Sequence, residues 1–75
     1  MRVGDLVQLR VTNVPMFSKW YGRGSGRGKP ERTGTVFSHE TLTILQVVEK
    51  FGGCKVITSS GTIGWIDVGY LELVR

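Results

Sequence analysis

Apolar and polar residues alternate along this chain in short runs punctuated by glycine, and that period of two predicts strands rather than helices. Val7, Leu9 and Val11 alternate with Gln8, Arg10 and Thr12, so a first strand is expected to bury the former and show the latter to water. Further strands are predicted over Thr33 to Ser38, Thr41 to Glu49, Cys54 to Thr58, Thr62 to Ile66 and Tyr70 to Val74. Lys50-Phe51-Gly52-Gly53, Ser59-Ser60-Gly61 and Asp67-Val68-Gly69 read as turns between them. No stretch of ten or more residues keeps a 3.6-residue period. Five or six short antiparallel strands with no helix to cover a sheet face must close on themselves, so the fold class is all-β, a small barrel.

The length of 75 residues sets one domain, spanning 1–75, with a core that contributes only modest net stability. One cysteine, Cys54, excludes an internal disulfide and fits a reducing compartment. The opening Met1-Arg2-Val3-Gly4-Asp5-Leu6 lacks the apolar core of a signal peptide, and no apolar run reaches the roughly 18 residues that span a bilayer. The expectation is a complete, soluble cytoplasmic protein with no membrane partner.

Charge changes the picture. The segment Lys19 to Arg32 holds five of the ten basic residues and one of the six acidic ones, a net +4 that equals the charge of the whole chain. Gly22, Gly24, Gly26 and Gly28 alternate through it, so a long flexible basic loop is expected over residues 16–32. One reading has Arg23, Arg27, Lys29 and Arg32 neutralising phosphates while Trp20 and Tyr21 stack on bases, as in single-stranded nucleic acid binding. The other has a solvated loop whose Trp20 and Tyr21 pack back onto the barrel. The Arg-Gly-Ser-Gly-Arg-Gly string lacks the Lys-Ser or Lys-Thr and the helix of a P-loop, which excludes that mode of nucleotide binding.

The stretch Gly61-Thr62-Ile63-Gly64-Trp65-Ile66-Asp67-Val68-Gly69-Tyr70-Leu71-Glu72-Leu73-Val74 resembles the last third of an SH3 domain. It is similar to the bacterial SH3 pattern of a glycine pair, a Trp-aliphatic step, a one-turn helix and a Tyr-Leu ending. With the opening Gly4-Asp5-Leu6-Val7 it also resembles the small SH3-like proteins that bacteriophages and bacteria encode. The resemblance implies an SH3-like barrel in which the basic Gly-rich segment is the RT-type loop. Of the aromatic set that grips polyproline the chain keeps only Tyr70, which tells against that ligand.

Alternation puts Ile63 and Trp65 on one face of their strand and Ile66 on the other, and the SH3 pattern favours Ile66 inside. An outward Trp65 beside Tyr70, with Trp20 and Tyr21, then forms a protein-binding patch, whereas the alternative has Trp65 roofing the barrel. Met16 and Phe17 read either as a core plug or as loop anchors.

For catalysis the only thiol and imidazole are Cys54 and His39, in no arrangement that marks nucleophile and base, and one Cys with one His excludes a closed Cys and His zinc site. The expectation is no enzyme, no cofactor and no small-molecule substrate. It is a binding module acting as a protein-interaction or assembly adaptor, with a protein partner or a second copy. The alternative is a nucleic-acid-binding protein working through the basic loop.

Overall fold

The structure is a computed structural model that describes residues 2–20 and 31–74. Seven strands form one antiparallel sheet: β1 (Leu6–Leu9), β2 (Val14–Phe17), β3 (Arg32–Val36), β4 (Leu42–Val48), β5 (Gly53–Ile57), β6 (Ile63–Asp67) and β7 (Leu71–Leu73). Their order is β3-β2-β6-β5-β4-β1-β7. The helical elements are two single 3₁₀ turns, Glu49–Phe51 and Val68–Tyr70, and no helix among the described residues is long and apolar enough to cross a membrane.

The all-β reading holds, and six of the expected strands are present with boundaries shifted by one to three residues. The seventh is β2, where the sequence predicted the start of a loop. Pro15 lacks an N–H and marks a break on propensity alone, yet Val14 to Met16 pair with Val36 to Gly34. The loop expected over 16–32 is corrected at both ends, where Met16 and Phe17 belong to β2 and Arg32 to β3; residues 21–30 of it lie outside the described residues. The described part of the hairpin closes where the Ser18 amide donates to the Glu31 carbonyl at 2.7 Å.

Every strand sends at least one side chain to the same interior. Val7 and Leu9, Met16, Val36, Leu42 and Ile44, Cys54 and Val56, Ile66, and Leu71 form the buried cluster, with Val14, Val47 and Val68 packed against it. Val11, expected inside, is exposed: β1 ends at Leu9, and the Arg10 amide bonds the Tyr70 carbonyl at 2.7 Å as the chain leaves the sheet. Gly64 lies on the interior face and lets β2 pass close to β6, since a Cβ there would stand 2.5 Å from Thr33 Oγ1 and 2.6 Å from Met16 Cβ.

The β5–β6 turn is held through Thr58, a buried hydroxyl bonded to Ser60 Oγ at 2.8 Å that also accepts from the Thr62 amide. Gly61 supplies the positive φ of 91°. In the turn before β7 the Asp67 carboxylate accepts from the Gly69 amide at 2.8 Å, capping the second 3₁₀ turn.

Candidate binding surface

Period-two alternation fixes what each strand shows outward once its inward residues are known. Ile66 and Gly64 are inward, so Trp65 is outward, and Met16 inward puts Phe17 outward. Lys55 stands between the buried Cys54 and Val56 and is outward on β5.

Register then brings these residues into one line. Arg32 opposes Phe17, Phe17 opposes Trp65, Trp65 opposes Lys55 and Lys55 opposes Gln46, a row crossing β3, β2, β6, β5 and β4. Directly opposite antiparallel residues share a face at roughly 4.5–5.5 Å between Cα atoms, so Phe17 and Trp65 are cross-strand neighbours flanked by Arg32 and Lys55, with no ring contact between the two aromatics among the described residues. A bulge between Met16 and Phe17 keeps Arg32 on the outer face with Thr35, whose hydroxyl it bonds. Phe17, Trp65 and Lys55 are half-buried and Arg32 and Gln46 exposed.

A second outward row lies two residues along the strands. Leu6 opposes Thr43, Thr43 opposes Ile57 and Ile57 opposes Ile63, and the Val74 amide joins Leu6 through its carbonyl at 3.0 Å. Leu6, Ile63 and Val74 are 51%, 43% and 37% exposed, so this row is an open aliphatic stripe.

Of the residues singled out in the sequence, Trp65 lies at the centre of the mixed row with Ile66 buried beneath, the arrangement the SH3 pattern favoured. Tyr70 is exposed in the second 3₁₀ turn, and among the described residues no ring contact joins it to Trp65. Trp20 is docked: its indole lies on Gly53 and Nε1–H donates to the Phe51 carbonyl at 2.8 Å. Of the pair expected to pack back or to stack on bases, Trp20 packs onto the fold and Tyr21 lies outside the described residues. Arg32 joins the mixed row, whereas Tyr21, Arg23, Arg27 and Lys29 lie outside the described residues.

Phe17 and Lys55 complete the row, and neither stands out in the sequence. Phe17 was ambiguous between core and loop, and Lys55 is one lysine in an apolar strand; only cross-strand register makes them neighbours of Trp65.

Cys54 is fully buried, and burial, reinforced by the Asp67 charge, pushes its thiol from an ordinary 9.0 up to about 11. That is the opposite of an activated nucleophile. His39 is exposed in the β3–β4 turn, its ring 6.1 Å from that of Phe37. Among the described residues no three His, Cys, Asp or Glu side chains gather as metal ligands. No protein-family model, no curated protein and no solved structure matches this chain.

Proposed function

We propose that this chain is a non-catalytic binding module on an SH3-like barrel, an adaptor that holds its partner on the outer face of β2, β6 and β5. Three features support the barrel. β1 bridges β4 and β7, all seven strands supply the shared interior, and a one-turn 3₁₀ helix separates β6 from β7 where the Gly-Trp-Ile and Tyr-Leu pattern lies. The single buried, unpaired Cys54 fits work in a reducing compartment such as the cytoplasm.

The observation that carries the function is Trp65: a half-buried outward indole beside Phe17, on a face whose interior layer is complete without it. Two large rings left partly in water, flanked by Arg32 on one side and Lys55 on the other, are suited to a partner with planar or apolar groups and negative charge. The test is a ¹⁵N NMR titration of wild type and Trp65→Ala with oligonucleotides, polyglutamate and acidic peptides. Shifts at Phe17, Trp65 and Lys55 that vanish in a variant still unfolding cooperatively are expected. A Trp65→Ala chain that fails to fold, or a panel leaving these amides unmoved, would remove the proposal.

A second reading, self-association or assembly through the aliphatic stripe of Leu6, Ile57, Ile63 and Val74, rests on the exposure of that row. Light scattering across concentration tests it, with Leu6→Glu expected to restore a monomer. A wild type monomeric throughout would rule out the second copy.

A further inference from the structure

Resting on the binding-module reading, we infer that the Arg32–Phe17–Trp65–Lys55 row is a stacking site for single-stranded nucleic acid. The juxtaposition comes from strand register and includes three residues, Phe17, Trp65 and Lys55, that the basic segment does not contain. Three strand spacings of about 4.8 Å separate Arg32 from Lys55, a span of about 14 Å with two rings between. Two unpaired bases stack on the two rings while the flanking cations meet the phosphates on either side.

The chemistry selects this occupant over other anions. An acidic peptide satisfies the cations and leaves the rings without planar partners, whereas a duplex hides its base faces inside its own stack. The cations are free for such use in different degrees: one Arg32 Nη bonds Thr35, leaving the rest of the guanidinium, and Lys55 stands outward mid-strand. On the Trp65 and Lys55 side the nearest carboxylate by register, Asp67, lies two residues beyond Trp65, opposite Gly53 rather than Lys55, and caps the following turn, while Glu31 adjoins Arg32 in sequence. Trp20 takes no part, since its indole is held on Gly53 and Phe51.

The experiment is fluorescence anisotropy with labelled oligothymidylate, oligouridylate and duplex DNA, paired with ¹⁵N spectra in which the two indole N–H signals report separately. Single strands are expected to bind more tightly than duplex and to shift the Trp65 indole while leaving the Trp20 indole in place. Trp65→Leu and Phe17→Leu should each weaken single-strand binding about tenfold or more. Arg32→Gln with Lys55→Gln should reduce the slope of log affinity against log salt by about 1.4, two single-strand phosphate contacts.

Equal affinity for single strand and duplex, insensitive to Trp65→Leu and Phe17→Leu but lost on neutralising Arg23, Arg27 and Lys29, would overturn the inference in favour of the basic segment alone. Polyglutamate moving the Trp65 signals where no oligonucleotide does would overturn it and spare the binding module. Silence from every probe would remove both.

Discussion

Gly53→Ala isolates the contact that joins the root of the basic segment to the sheet. Gly53 sits on the outer face of β5 yet is buried, because the Trp20 indole lies on it; a Cβ there would collide with Nε1, Cδ1 and Cε2 of the ring. The indole must leave, and its 2.8 Å hydrogen bond to the Phe51 carbonyl goes with it. Loss of that bond costs about 1 kcal/mol. Re-exposing about 80 Å² of ring at about 25 cal/mol per Å² adds about 2 kcal/mol. Replacing a strand glycine by alanine returns about 0.5–1 kcal/mol through the unfolded chain, so the net loss is about 2 kcal/mol, a fall in Tm of about 10 °C. With Trp20→Ala already in place there is nothing to collide with, and Gly53→Ala should stabilise by about 0.5 kcal/mol. Urea denaturation of the four proteins closes the double-mutant cycle, with a coupling of about 2–3 kcal/mol expected. The same effect of Gly53→Ala in both backgrounds would show that Trp20 is not docked on Gly53.

Gly64→Ala forces a methyl against Thr33 Oγ1 and the Cβ of fully buried Met16 at 2.5 and 2.6 Å, so β2 must lift from β6; a loss of about 1–3 kcal/mol in calorimetry is expected, and a wild-type Tm would refute the close crossing. The Cys54 thiol, held protonated up to about 11 against an ordinary 9.0, makes the folded state bind its proton more tightly than the unfolded state does. That contribution is full below pH 9 and falls away between pH 9 and 11, by about 3 kcal/mol in all. Urea titrations of wild type and Cys54→Ala through that window should diverge; parallel losses would mean that the thiol does not titrate there. The segment carrying the net +4 leaves and rejoins the sheet at Ser18 and Glu31, next to Phe17 and Arg32. Neutralising Arg23, Arg27 and Lys29 should therefore slow association with an anionic partner and flatten its salt dependence, whereas Trp65→Leu should speed dissociation, both read by stopped flow.

The strands that could be read from the sequence are those whose alternation is long enough to exclude a helix. Leu42 to Val48 and Gly53 to Ile57 carry their own evidence, since β-branched and aliphatic residues fill them and glycine-bearing turns bound them. β2 carried none: it has four residues, one of them proline, and it exists because Met16 fills the interior beside Gly64 and its backbone pairs with β3 and, at Phe17, with β6. Val11 failed for the complementary reason. Its alternation with Arg10 and Thr12 is sound local evidence, but β1 has a partner in β7 only as far as Leu9 opposite Leu71. A short strand ends where its neighbour ends, and no property of Val11 records that.

The candidate binding face shows the same limit from the other side. Alternation was enough to set Trp65 against Ile66, since one inward residue determines the facing of its neighbours, and the burial of Ile66 in the structure makes the choice between the two. It was not enough to say what stands beside Trp65. Tyr70 is close in sequence and shares a motif with it, yet the described residues show no contact between the rings, while Phe17 and Lys55 lie 48 and 10 positions away and are its cross-strand partners. The same logic separates the two tryptophans. Trp20 sits among the arginines that suggest nucleic acid, but Gly53 offers a bare backbone and Phe51 a carbonyl, and these hold the ring to the fold. Trp65 sits in a strand with no charge next to it in sequence and gains Lys55 across the ladder, and Arg32 by way of Phe17. Charge density along the chain marks where the proposed site would draw an anion. Which ring it meets there is decided by register, a long-range property set when the interior packs.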